Sequence, residues 1–152
     1  MAAEETLGFV IVDVARLLRQ QFDSALENAG LGLTAGEART LHHAAVAGPL
    51  RQTLLAERMA VEPMTVVGYL DRLERAGLIE RLTDPDDRRA KLVTPTAAAA
   101  PVLLKIGEVG AAVRQQATHG ISPAEIAALR DQLALMRRNL GGAPTPALER
   151  VR

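Results

Sequence analysis

The chain has 152 residues, 48% hydrophobic but only 2% aromatic, so its core must be aliphatic, and its many Ala and Leu favour helices. Cysteine is absent, which excludes disulfides, thiolate metal sites and thiol-based redox sensing. Eighteen basic and eighteen acidic residues cancel, which weighs against a uniformly basic nucleic-acid binder and leaves the distribution of charge to decide.

This length allows one domain with a real core, or a small domain with dimerisation arms. No apolar run approaches 18 residues, so no membrane span is expected. Met1 to Thr6 is acidic and lacks the basic segment of a signal peptide, so the expected location is cytoplasmic, with no membrane partner.

In chain order, Leu7, Val10, Ile11, Val14, Leu17, Leu18, Phe22, Ala25 and Leu26 recur at three- and four-residue intervals. That spacing predicts one amphipathic helix ending near Asn28, before Gly30 and Gly32. Thr34 and Glu37 form a capping-box pattern that starts a second helix, from about Ala35 to Ala47, which stops at Gly48-Pro49. A short third helix is expected from Arg51 to Met59. A fourth runs from Glu62 to Ala76, with Pro63 in its first turn and Gly77 closing it. Leu78 to Thr83 and Ala90 to Thr94 read as two strands joined by the turn Asp84-Pro85-Asp86-Asp87.

Helical spacing returns from Ala97 to about His119, with Pro101 kinking or delaying the start. Ser122-Pro123-Ala124-Glu125 is a second capping box, opening a helix that carries Ile126, Leu129, Leu133, Met136 and Leu140. From Gly141 onward the chain is rich in Gly and Pro and reads as a flexible tail. The fold class is therefore mainly α with a small β-wing: a winged helix-turn-helix whose N- and C-terminal helices form a dimerisation region. The expected division is 1–32 for the N-terminal dimerisation helix, 33–95 for the winged helix, 96–140 for the C-terminal dimerisation helices and 141–152 for the tail. The apolar stripes of the flanking helices exceed what so small a centre can bury, and a two-fold homodimer would cover them.

The central segment contains Leu33-Thr34, Leu54-Leu55-Ala56-Glu57-Arg58-Met59 and the run from Leu70-Asp71-Arg72-Leu73-Glu74 through Gly77-Leu78-Ile79-Glu80-Arg81. Asp84-Pro85-Asp86-Asp87-Arg88-Arg89-Ala90-Lys91 follows. This order and spacing resembles the MarR-family signature. Leu41-His42, the Arg88-to-Lys91 wing and His119-Gly120-Ile121-Ser122 resemble its SlyA-like members. The resemblance extends from about Leu7 to Leu140. It implies a homodimeric transcriptional regulator, usually a repressor, on a pseudo-palindromic operator of double-stranded DNA. In such proteins a recognition helix enters the major groove, the wing lies along the minor groove, and small, often aromatic anions weaken the complex.

On that reading the recognition helix offers Met64, Thr65, Val67 and Gly68 to DNA. Thr65 can hydrogen-bond, whereas Met64 and Val67 can only touch a thymine methyl. Many relatives carry Arg or another polar residue at the position of Gly68, so direct readout is thin here and the burden moves to the wing and to DNA shape. Arg88 and Arg89 suit a narrow minor groove, and Asp87 is expected to orient one of them. Arg51, Arg72, Arg75 and Lys91 are phosphate-contact candidates. The alternative for Arg88 and Arg89 is a solvated loop with local salt bridges. Between Arg51 and Thr94 eight basic and eight acidic residues cancel, so internal pairing is expected to occupy the acids.

The resemblance places an effector cavity between the dimer helices and the winged helix, with Arg19, Phe22, His42 and Tyr69 as its candidates and Arg16 as a substitute for Arg19. An Arg or His beside apolar walls suits a ring-bearing carboxylate. Alternatively His42 is a satisfied core histidine, Arg19 a surface residue, and Tyr69 a filler of the cavity. Adjacent His42 and His43 point about 100° apart on a helix, a poor arrangement for zinc, so neither a metal site nor a cofactor is expected. No nucleophile elbow, P-loop or metalloprotease motif occurs, and no catalytic residues are assigned. The other function left open is a dimeric winged-helix module that binds protein or ligand with weak DNA affinity.

Overall fold

The computed structural model describes residues 5–142. Its elements are α1 (Leu7–Asn28), α2 (Ala35–Ala47), β1 (Leu50–Arg51), α3 (Gln52–Met59), α4 (Pro63–Arg75), β2 (Ile79–Thr83), β3 (Lys91–Pro95), a 3-10 turn (Ala97–Ala99), α5 (Ala100–Ala117) and α6 (Pro123–Asn139). The three strands form one antiparallel sheet in the order β1-β3-β2. Ile79 pairs with Pro95 and Thr83 with Lys91, while Leu50 faces Val93. The mainly helical winged-helix class is thus as expected. The flexible tail expected from Gly141 lies, from residue 143, outside the described residues.

Local chemistry explains the boundaries. Both capping boxes form: Thr34 Oγ1 accepts the Glu37 amide at 3.3 Å while Glu37 accepts the Thr34 amide at 3.0 Å, and Ser122 and Glu125 repeat the exchange. Four otherwise orphaned donors are satisfied in this way, two at each helix start. Pro101 delays its helix: Ala97–Ala99 is a 3-10 turn and the α-helix begins at Ala100 with the proline in its first turn. Gly77 ends α4 at φ 72°, where its amide and that of Leu78 close onto Glu74 and Leu73. Short β1 is not announced by the local sequence.

The core belongs to the central region. Leu41, Leu55, Val66, Leu70, Leu73 and Val93 are fully buried, joined by Leu26 from the end of α1 and Ile106 from the middle of α5. The flanking helices are different. Leu26 is the sole buried residue of α1, and α6 buries none. Phe9 is 70% exposed, and Leu7, Val12, Val14, Leu129, Leu133 and Leu135 are exposed as well. A soluble monomer rarely leaves a stripe of this kind open. Among the described residues no helix is long and apolar enough to cross a membrane.

Candidate nucleic-acid interface and effector cavity

The wing is a hairpin held at its root by a buried charge. Asp84 is buried, and its Oδ2 accepts Arg51 Nε at 2.7 Å and lies 2.6 Å from an Arg51 terminal nitrogen. Its other oxygen accepts the Asp86 amide at 2.9 Å. That amide bond, then Arg51, hold the Asp84 carboxyl below the ordinary carboxylate range. Asp87 Oδ1 accepts the backbone N–H of Arg89 at 3.0 Å, and its Oδ2 lies 3.9 Å from Arg51. Asp87 therefore meets Arg89 through the main chain. Arg88 and Arg89 project at the exposed tip, and among the described residues neither has an acidic partner. Lys91 donates to the Thr83 hydroxyl at 2.9 Å across the hairpin.

Helix α4 buries Val66, Leu70 and Leu73, so the phase of the helix sends Met64, Thr65, Gly68, Arg72 and Arg75 outward. Met64 is 77% exposed, and Val67 and Gly68 are half-buried. Arg72 is held by the buried Glu37 of α2 and lies 5.5 Å from the ring of Tyr69. Burial alone would raise the Glu37 carboxyl. The Arg72 hydrogen bond, the capping amide of Thr34 and the Arg72 charge outweigh it and leave that pKa lowered. Arg81 is held in turn by Asp71 and Glu74. Of the basic residues offered to phosphate, Arg51 and Arg72 thus have carboxylate partners, whereas Arg75 and Lys91, like the wing's Arg88 and Arg89, have none among the described residues. Pairing occupies only some of the acids, since Glu57, Glu62, Glu80 and Asp86 have no basic partner there.

A cavity of about 1340 Å³ opens between α1, α2, α3 and α5. Arg19, Phe22 and His42 line it, as does His43, together with Arg39, Arg58 and Arg114. Its apolar wall includes Leu18, Leu103, Ile106 and Val113. The other two effector candidates lie elsewhere. Arg16 pairs with Asp13 at 2.6 Å on the exposed side of α1, and Tyr69 packs over Gly36, where an added Cβ would sit 2.3 Å from its ring. Gly36 is therefore the notch that seats Tyr69. Arg39 pairs with Asp23 at 3.2 Å, bracing α2 against α1. Burial first, then the Arg114 charge, lower the His42 pKa. His43 is lowered by burial and then by His42, Arg39, Arg58 and Arg19. Among the described residues no group of three or more metal-binding side chains converges.

Two contributions are not marked by the local sequence. Asp84 reads as a turn residue, although its position two before Asp86 is a pattern in which an Asp side chain captures an amide. Arg39, Arg58 and Arg114 stand on three different helices with irregular spacing, and nothing local marks them as neighbours.

Comparison with known proteins agrees with this architecture. The sequence model of the MarR family matches residues 33–91. The solved transcriptional regulator PA3341 is 30% identical, with 90% of this chain and 98% of that chain covered and a TM-score of 0.74. The transcriptional regulator SlyA is 27% identical over 90% of this chain and 94% of its own, at a TM-score of 0.72. A MarR-family regulator from Listeria monocytogenes, solved in complex with a 26mer DNA, shares the fold at 22% identity and a TM-score of 0.74, covering 91% of this chain and 90% of that one. With the locked wing, the outward stripe of α4 and near-complete coverage of these relatives, the chain belongs to the MarR family of winged-helix transcriptional regulators.

Proposed function

We propose that this protein is a cytoplasmic, homodimeric repressor that binds a pseudo-palindromic operator and is released by an anion bound in its cavity. The observation that carries the reading is the wing: Arg88 and Arg89 stand without an acidic partner among the described residues, at the tip of a hairpin fixed by the Arg51–Asp84 pair. A rigid hairpin tipped with two guanidinium groups suits the enhanced negative potential of a narrow minor groove. The outward stripe of α4 supplies the major-groove element, with Thr65 its one hydrogen-bonding side chain near the helix start and Arg75 a phosphate contact. The same-fold Listeria regulator, solved with DNA, supports this use of the fold. The open apolar faces of α1 and α6 support the homodimer. The dimerisation role of residues 1–32 and 96–140 belongs to the same proposal.

One observation favours the second reading, a dimeric ligand- or protein-binding module of weak DNA affinity. Between Arg51 and Thr94 eight basic and eight acidic residues cancel, so the central segment carries no net positive charge toward DNA. A fluorescence-anisotropy titration against the DNA upstream of the gene, at several salt concentrations and with competitor DNA, separates the two. Tight, salt-dependent binding that survives competitor supports the repressor. Weak binding equal for all DNA supports the module.

A further inference from the structure

The charges around the cavity do not match a singly charged ligand. Arg19 comes from α1, Arg58 from α3 and Arg114 from α5, and among the described residues none of the three has an acidic partner. Arg39 is matched by Asp23. Among the described residues Glu108 is the one acidic residue in the lining. The arginines act on a common region: the charges of Arg39, Arg58 and Arg19 all reach His43, and that of Arg114 reaches His42. The two imidazoles are themselves neighbours, with ring centroids 6.2 Å apart. Gly110 lets Arg114 and the Phe22 ring close on the α5 backbone, since a Cβ there would sit 3.1 Å from Arg114 Nη1 and 3.5 Å from Phe22. Cationic and aromatic surfaces therefore meet at one wall.

A lone carboxylate accepts one bidentate arginine, whereas guanidinium groups brought to this cavity by three helices offer donors for more than one charge. The cavity is also larger than the range of about 300–1,000 Å³ usual for drug-sized ligands. We infer that this cavity selects an anion carrying at least two negative charges on an apolar body, a polycarboxylate or a phosphate ester, over any monocarboxylate. The inference rests on the effector role proposed above and names the ligand class for it. The phenyl ring or chain lies against Phe22 and Leu103 while Arg19, Arg58 and Arg114 divide the charges. His42 and His43 take up protons as the anion arrives, because added negative charge favours the imidazolium. The other charged groups facing this pair are Arg19 and the Asp23-matched Arg39, Arg58 of α3, and Glu108 and Arg114 of α5.

The test uses the full-length protein without DNA, titrated calorimetrically with benzoate, phenyl phosphate and 1,2,4-benzenetricarboxylate, with histidine-ring NMR as the positional readout. The expected result is that both multivalent anions bind about tenfold or more tightly than benzoate, and more tightly as the pH falls from about 8 to 6.5, above the range in which a phosphate monoester takes up its proton. Arg58→Gln and Arg114→Gln, both at exposed positions, should each erase about tenfold of that preference. The ring signals of His42 and His43 should move while those of exposed His119 stay in place. Preference for phenyl phosphate over the tricarboxylate, or the reverse, identifies the source of the charge. Equal affinity for benzoate, binding that leaves the His42 and His43 signals unmoved, or no binding of any of the three overturns the inference. Its failure is distinct from failure of the effector reading. A multivalent anion that binds here yet leaves an operator complex intact refutes the effector role alone, and release by benzoate as readily as by the tricarboxylate refutes the ligand class alone.

Discussion

The winged helix and the helices that flank it obey different rules. Between Leu41 and Val93 the apolar residues close on one another, and the main ion pairs, Arg51–Asp84, Arg72–Glu37 and Arg81–Asp71, join elements of the same region. Helices α1 and α6 also carry apolar residues at helical spacing, yet α1 buries only Leu26 and α6 has no buried residue. The winged helix is a unit whose hydrophobic faces find partners within about 60 residues of chain. The arms carry faces with no partner among the described residues of the protomer. Amphipathicity alone says that a helix has something to bury, and only the packed structure says whether the chain itself supplies it.

The strongest way to break this contrast is to make the arms polar. Leu129→Glu with Leu133→Glu changes two exposed leucines of α6 that touch no core residue. If they sit in the dimer seam, each buries an aliphatic side chain there, and a homodimer loses four such side chains at once. The expected dissociation constant rises at least about a hundredfold, on the order of 3 kcal/mol or more. Light scattering should find a monomer, and circular dichroism should find the winged helix still folded. A dimer as tight as the wild type would show that α6 is not the seam. Removal of residues 1–28 should have the same effect on assembly.

Next in size is the wing. Arg89→Ala should cost operator affinity by about 1–3 kcal/mol and reduce the salt slope by about one. Asp84→Asn should also weaken operator binding, by loosening the wing root. Because it removes no cation, it should leave the salt slope close to that of the wild type. Anisotropy titrations across a salt series separate the two effects. An Arg89 variant that binds as the wild type does would remove the wing from the interface.

Much of this was legible in the residues. Thr34 and Glu37, and Ser122 and Glu125, announce their helix starts because the capping exchange is confined to four residues. What could not be read depends on distance along the chain. Strand β1 is two residues long and exists because Val93, more than 40 residues later, pairs with Leu50. Asp84 is an anchor because Arg51, 33 residues earlier, reaches it. Arg19, Phe22 and His42 were placed at the cavity by family resemblance and do line it. Tyr69 follows the phase of α4 and is seated against Gly36 instead. Arg58 and Arg114 become neighbours of His43 and His42 only once α3 and α5 close around α2.

Acidity probes the seam between the two regions, where His42 and His43 lie. Both imidazoles have pKa values lowered below the ordinary 6.5 in the folded protein, by burial above all. The unfolded chain therefore binds more protons than the folded one over that interval. Stability is full above pH 6.5 and is lost as the pH falls through it toward the folded values. The expected drop in Tm between pH 7.5 and 5.5 is a few degrees, measured by calorimetry, and His42→Gln with His43→Gln should flatten it. The lowered carboxyl of Glu37 acts in the same direction in a separate window, beginning below its ordinary 4.5, so the two are resolved along the pH axis. A double variant whose melting curve keeps the wild-type slope between pH 7.5 and 5.5 would remove the histidines from this seam.

The smallest effect concerns Gly68, in the middle of α4. A Cβ built there meets no atom within 4 Å, and its backbone does not occupy the left-handed region. Nothing inside the protomer asks for glycine, although glycine in a helix interior costs about 1 kcal/mol relative to alanine. Gly68→Ala is therefore expected to stabilise the protein by about 0.5–1 kcal/mol in urea unfolding. The same variant, titrated against operator DNA, shows why the position tolerates that cost. Should affinity fall while stability rises, the missing side chain is what lets the helix approach the groove, and the recognition helix reads DNA by closeness of its backbone. Should affinity stay unchanged, α4 serves mainly to position the protein, and specificity rests on Arg88, Arg89 and the shape of the minor groove.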